Sequence, residues 1–331
     1  MKELKNLIIK AQEIYKKNFP LTTNFERAIF FSWYCATRDC TFCYMSTQKN
    51  EGKIARRTQE SILAELIICK KLKWDIGFLS GGHKAYTTIG FLDLLKSINK
   101  VINQKIWINI GPLNEKELKL YKPYIKGVVA SIETINPKLH DKVCPSKPIK
   151  PFESMLTTAK RLKLKRAITI ILGLGESLHD FNLLKCFIEK YNIEKIHIYA
   201  LNPQKGTMFE NTKSPTAEYQ AYWIAKTRIA FPKIDIQCGI WTDKIERVSL
   251  LLQAGANSIS KFPAIRYFNS KQAKEIEKQS RKAKRKFIGS LTKLPSIDID
   301  DEMNKLKVSK KNKLKVKQKL FQYLRTMKKN S

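Results

Sequence analysis

The sequence lacks a fourth cysteine at the one place where three stand together. Cys35, Cys40 and Cys43 lie in the stretch Trp33-Tyr-Cys-Ala-Thr-Arg-Asp-Cys-Thr-Phe-Cys-Tyr-Met-Ser46, and no further Cys or His follows until Cys69. The seven cysteines show no pairing pattern, which argues against a disulfide framework. No uninterrupted apolar stretch approaches the roughly 18 residues of a membrane span. A basic segment leading into an apolar run and a small-residue cleavage site is also missing, so a reducing cytoplasm is the expected location. Acidic residues are scarce: 29 Asp and Glu face 63 Lys and Arg, for a formal net charge of +34.

Three thiolates are one too few to fill a cubane, which takes four. A short loop carrying three of them suits a 4Fe-4S cluster with one iron left open to a substrate or cofactor. Zinc with a histidine as fourth ligand, or buried cysteines acting as small apolar side chains, are the alternatives. A zinc knuckle brings a second ligand pair at short spacing, and none is near.

The positive charge raises the possibility of nucleic acid, because clustered Lys and Arg neutralise phosphates. Lysines recur along the whole chain, however, and much of the excess reads as solvated surface. The tail differs, being dense in lysine over 271–286 and 305–329 with Leu306, Leu314, Leu320, Phe321 and Leu324 interspersed. A basic helix docking on the body of the protein or on a partner is the expectation there, with RNA contact the minority reading.

Strand-like runs at 28–33, 76–80, 106–110, 127–132, 167–172, 196–200, 234–238 and 258–260 alternate with helical patterns at 59–71, 90–102, 153–164, 178–191, 217–231 and 244–254. Regular alternation of this kind predicts a parallel sheet, and eight units predict a TIM-type (β/α)8 α/β barrel, complete or slightly open. The expected organisation is an N-terminal helical cap over 1–26, a barrel over 27–262 and a basic C-terminal extension over 263–331. Active sites of such barrels sit at the carboxyl ends of the strands. The cysteine loop follows the first strand, Ser80-Gly81-Gly82-His83 the second, and Glu133-Thr134 the fourth. Gly173-Leu-Gly175-Glu-Ser177 follows the fifth, and Leu201-Asn-Pro-Gln-Lys-Gly-Thr207 the sixth. Taken singly, each of these is as ordinary as a turn or a helix cap. Together they face one space.

These residues resemble the radical S-adenosylmethionine (SAM) enzymes, in the branch that contains biotin synthase, the hydrogenase maturase HydE and the pyrrolysine-pathway enzyme PylB. The resemblance spans about 27–259. It rests on the cysteine loop with Phe42 and Tyr44 flanking Cys43, on Ser80-Gly81-Gly82 and on Gly173-Leu-Gly-Glu-Ser177. Lys205-Gly-Thr-Met208 and Ala254-Gly-Ala-Asn-Ser-Ile259 complete it. It implies one 4Fe-4S cluster on Cys35, Cys40 and Cys43, with SAM on the open iron, and reductive cleavage of SAM to a 5′-deoxyadenosyl radical that takes hydrogen from a substrate. It further implies SAM contacts at Tyr44, Ser80, Gly81, Gly82, Glu133, Thr134, Gly173 and Gly175, with Glu133 the candidate catalytic residue. A salt-bridged strand-end carboxylate is the plain alternative for Glu133. An electron donor such as a ferredoxin or flavodoxin is an implied partner.

Two departures narrow the expectation. Four residues, Ala36 to Asp39, separate the first two cysteines, where most of the superfamily has three. The longer gap resembles that of the archaeal HmdB type (HcgA), which works in assembling the iron-guanylylpyridinol cofactor of iron-only hydrogenase and is associated with five. Biotin synthase also holds a second cluster on barrel cysteines and an arginine. Ser80, Ile108, Thr169 and Ile240 stand at about those places here, so sulfur insertion is disfavoured. Cys69 and Cys186 are expected in the core, and Cys144 and Cys238 in structural roles. The expected function is a radical SAM step on a small molecule in cofactor biosynthesis. An RNA-modifying enzyme and a non-catalytic metal scaffold are the alternatives.

Overall fold

The computed structural model describes residues 2–48 and 55–329. Helix α1 (Lys2–Asn18) buries Ala11 and Tyr15 and packs on the outer helical layer; β1 (Thr22–Ser32) then opens the sheet. Alternating units follow: α2 (Gln59–Leu72), β2 (Asp75–Gly81), α3 (Thr88–Ile102), β3 (Ile106–Asn109), α4 (Glu115–Tyr121) and β4 (Ile125–Glu133). After them come α5 (Pro137–Val143), α6 (Lys150–Arg161), β5 (Lys165–Leu172), α7 (Phe181–Tyr191) and β6 (Lys195–Ala200). The barrel ends with α8 (Ala217–Ala230), β7 (Asp235–Gly239), α9 (Val248–Gln253) and β8 (Ser258–Ser260). All eight strands run parallel in chain order, and β1 closes the sheet by pairing with both β2 and β8.

Closure depends on β1, the longest strand. It meets β8 only at Asn24 and Phe25. Farther along, residues after the cysteine loop take up its free edge: Ser32 bridges Arg56, Trp33 N–H donates to Ala55 O at 3.1 Å, and Arg57 N–H donates to Phe31 O at 2.8 Å. Both ends of the cysteine loop are thereby clipped to the barrel wall.

Side chains two apart along a strand share a face. One face forms the main apolar core against the helices, while Phe78, Trp107, Val129 and Ala167 make a separate cluster within the barrel. At the amino-terminal end the interior is ionic. Glu26 Oε1 accepts from Lys195 Nζ at 2.7 Å and from Ser258 Oγ at 2.6 Å, and Glu26 Oε2 accepts from Gln237 Nε2 at 2.5 Å. A fully satisfied network is the condition under which buried charge is tolerated.

Beyond the barrel come α10 (Lys271–Lys282), β9 (Lys286–Ile288), α11 (Ile299–Lys305) and α12 (Lys310–Lys328). Strand β9 extends the sheet along Thr22–Asn24, an element that no apolar run announces in the sequence. Helix α12 is the expected basic docking helix. It lies on α2 with Val316, Leu320, Leu324 and Met327 buried, while Leu314 and Phe321 remain exposed. Among the described residues no helix is long and apolar enough to cross a membrane.

Candidate active site

The cysteine loop lies across the carboxyl ends of the strands. Its seat is set by Gly82, where a Cβ would stand 1.9 Å from Tyr34 O and 2.7 Å from Cys35 Cα. Only a residue without a side chain allows that approach. Ala36 N–H donates to His83 O at 2.9 Å and fixes the loop to the end of β2. The glycine turn read as a ligand cradle thus first accommodates the chain's own loop, and Gly81 lies against the Phe31 ring.

Farther along, Thr41 N–H donates to Val143 O at 2.9 Å, and Thr41 O accepts from Met208 N–H at 3.0 Å. Phe42, between the last two cysteines, is buried in a cluster with Val143, Cys144, Leu174 and Leu201. One apolar side chain therefore ties the loop to the end of α5 and to the residues that follow β5 and β6, a burial of about 1.5–3 kcal/mol. Cys43 N–H donates to Cys40 O at 3.0 Å, a tight turn that holds these two thiols as neighbours. Ser46 Oγ donates to Cys43 O at 2.7 Å and starts the short 3-10 turn Tyr44–Thr47.

All seven cysteines are free thiols, and Cys35, Cys40 and Cys43 are half-buried. Cys144 is fully buried and packs with Cys40, and its thiol as neighbour draws Cys40 below the ordinary thiol range against the opposing effect of burial. Burial pushes Cys43 up to about 11. Cys69 is buried as expected, and Cys238 is buried within β7. Cys186 corrects the reading of a core residue: it is exposed, because a position two beyond the buried Leu184 faces the opposite side of α7.

Glu133 ends β4 with φ +63, beside an irregularity in the β4–β5 register. Its Oε1 accepts from Lys147 Nζ at 2.6 Å. The plain alternative of a salt-bridged strand-end carboxylate is thus realised, with the pair facing Cys40 and Cys144. Lys147 carried no signal in the sequence. Thr134 is buried, and neither its hydroxyl nor the buried Tyr44 hydroxyl has a hydrogen-bond partner among the described residues. Burial also pushes Tyr44 up to about 12. Ser80 pairs with Phe30 and Asn109 in the strand wall.

After β5, Gly173 and Gly175 hold φ of +96 and +123 and so turn the amides of Gly173 and Leu174 inward. Glu176 fills that turn, accepting from the two amides at 2.7 and 3.0 Å. These donors are occupied by the chain itself. A cleft of about 460 Å³ opens beside Gly82, lined by His83, Tyr86, Asn114 and Glu117 among others. Burial draws His83 below the usual imidazole range.

The profile of the Radical SAM superfamily matches residues 31–185, from the cysteine loop into α7. An uncharacterized protein of Methanocaldococcus jannaschii is 41% identical over 287 residues, which cover 86% of this chain and 79% of that protein. The biotin synthase of Methanococcus aeolicus is 28% identical over 178 residues, covering 52% of this chain and 54% of the enzyme. The fold resembles the crystal structure of methylornithine synthase (PylB), with a TM-score of 0.69 at 20% identity over 78% of each chain. With its cysteine loop inside the matched segment and its barrel shared with these enzymes, the chain belongs to the radical SAM superfamily and is a radical SAM enzyme.

Proposed function

We propose that Cys35, Cys40 and Cys43 hold one 4Fe-4S cluster with an iron left for SAM. We further propose that the enzyme acts on a small-molecule precursor in cofactor biosynthesis, in an HmdB-like step toward the pyridinol ligand of the iron-guanylylpyridinol cofactor. The carrying observation is three free, half-buried thiols on a loop clipped at both ends, with four residues in its first gap. Superfamily membership implies the cluster and SAM, and such enzymes need a reductant and act on small molecules. The donor set fits. Thiolates are the protein ligands of such clusters.

When bound, cluster and SAM together supply a carbon radical able to take hydrogen from an unactivated position. The chain's own share is placement and exclusion of water. Phe42 closes the loop against the residues that follow β5 and β6, and Ala36 anchors it to His83. Tyr44, Ser80, Gly81, Gly82, Glu133 and Thr134 are the residues we assign to SAM, the Tyr44 and Thr134 hydroxyls, which have no partner among the described residues, being suited to a polar ligand. Gly173 and Gly175 shape the wall opposite, their turn being filled by Glu176. A cytoplasmic ferredoxin or flavodoxin is the proposed donor. The proposed organisation keeps a cap, a barrel and an extension over 263–331, but α1 ends at Asn18 and the barrel wall begins with β1 at Thr22 and not at 27.

The test is an anaerobically reconstituted reaction with SAM, reductant and deuterated candidate metabolites, the pyridinol precursors among them. Mass spectrometry of 5′-deoxyadenosine should show deuterium from one small molecule. Deuterium transfer from labelled RNA, or from none of the pyridinol precursors, would overturn the pathway assignment.

A further inference from the structure

Ten described residues other than glycine hold a positive φ. Lys73, Asn103 and Asn192 are helix C-caps, Lys163 and Lys284 follow C-caps directly, and Asn269 precedes the N-cap Ser270. The other four, Arg38, Lys84, Glu133 and Lys261, lie at or just past the carboxyl ends of β1, β2, β4 and β8. A side chain is held in this conformation only where surrounding structure compensates, and such positions gather at functional sites.

Lys84 is exposed to solvent, whereas Lys261 is a half-buried cation among them. It follows Ser260 at the end of β8, four strands around the barrel from Glu133. Its stem passes Gly239, where a Cβ would stand 3.1 Å from Lys261 Cγ. Its Nζ lies 4.6 Å from the centre of the Tyr199 ring and 5.9 Å from that of Phe78. Among the described residues it has neither a hydrogen bond nor an ion pair, its polar contact being with the two ring faces. The acidic groups that face it are Glu133, already engaged by Lys147, and Cys43. A half-buried ammonium held only by aromatic rings leaves its donors free for an incoming anion.

A second group suits a donor on the same ligand, such as an α-amino or 2-hydroxy group, and not its carboxylate. His197 packs edge-on against Phe78 at 5.1 Å and lies 6.1 Å from Tyr199, beneath the same two rings. Its Nδ1 lies 3.1 Å from Ile168 O, which requires the proton on Nδ1 and leaves Nε2 as an acceptor. That atom is buried and has no partner among the described residues.

We propose that Lys261 binds the carboxylate of the substrate, so that the substrate is a small carboxylic acid held in the barrel mouth between β8 and β4. Calling this ligand the substrate rests on the radical SAM reading above. The test uses the reconstituted full-length protein with SAM bound. The probes are the common α-amino acids and simple 2-hydroxy and 2-oxo acids, each compared with its uncharged amide. Competitive acylation with trace acetic anhydride, read at Lys261 by peptide mass spectrometry, reports its accessibility. One or more acids should slow labelling about tenfold while the matching amides leave it unchanged. Lys261→Met should weaken binding of that acid about tenfold by equilibrium dialysis, Lys261→Arg should restore much of it, and SAM affinity should hold in both.

Absence of protection by any acid, or equal protection by the amides, would overturn the proposal. So would a Lys261→Met variant that loses SAM instead, because the cation would then serve the SAM carboxylate. Protection without 5′-deoxyadenosine formation would instead count against the radical chemistry and leave the anchor standing.

Discussion

Nζ of Lys147 lies 2.6 Å from Oε1 of Glu133, joining the last residue of β4 to the segment that follows α5. Burial draws Lys147 down, but Glu133 with Cys144 and Cys40 outweighs burial and holds it above the ordinary lysine range. Glu133→Gln and Lys147→Met should each lower the unfolding free energy by about 1–3 kcal/mol, since each strands a half-buried partner. In urea denaturation the double variant should lose less than the sum of the two. Strict additivity would show that the two side chains act independently.

Glu26 sets the acid limit of the fold. Burial pushes its carboxyl up, yet the Lys195 charge and three hydrogen bonds prevail and hold it below the usual range. A depressed folded-state pKa gives stability that is present above the unfolded value and lost as pH falls through the folded one. The protein should therefore lose stability below the ordinary carboxylate range, at about pH 4 and under. Glu26→Gln should flatten that part of the pH profile in chemical denaturation. An unchanged acid limb would remove Glu26 from the account.

Gly82 is a steric requirement of the cysteine loop. Gly82→Ala places a methyl against Tyr34 O and should move the loop at a cost of about 1–3 kcal/mol. Iron retention after anaerobic reconstitution should fall while the far-ultraviolet circular dichroism of the barrel persists. Full iron content with native stability would contradict this seating.

The basic helix α12 braces the same loop from behind. Tyr323 OH accepts from Arg57 at 2.9 Å and shares a hydrogen bond with Ser61 at 2.7 Å, while Arg57 and Arg27 both pair with Glu65. Tyr323→Phe should cost about 0.5–1.5 kcal/mol, and removing residues 305–331 should uncover the apolar face of α2 and lower the melting temperature. Substrate turnover should show no steep salt dependence. A steep one, abolished by the deletion, would favour an RNA substrate.

Most of the barrel was legible because strands such as β4 and β5 are apolar, β-branched runs, whereas the first half of β1 was hidden by the polar Asn24, Glu26 and Arg27. Strand β9 was not, having three residues and no apolar run, and the seven-residue helices α4 and α5 leave too short a pattern to find. The cysteine loop was legible from chemistry alone. Its glycines were found, but not that Gly82 makes room for Tyr34 or that Glu176 fills the turn at Gly173. Lys147 and Lys261 were invisible for another reason. With 63 Lys and Arg in the sequence no single lysine stands out, and what distinguishes these two is which distant strands they meet.

The most direct measurement is iron and sulfide content, with 5′-deoxyadenosine formed on reduction with SAM, for the wild type and single Cys→Ala variants after anaerobic reconstitution. The wild type should hold about four iron and four sulfide and cleave SAM. Cys35→Ala, Cys40→Ala and Cys43→Ala should each lose the cluster and the product, and Cys69→Ala should keep both. A cluster that survives loss of any of the three, or one lost with Cys69 while the fold persists, would contradict the ligand assignment at the centre of this account.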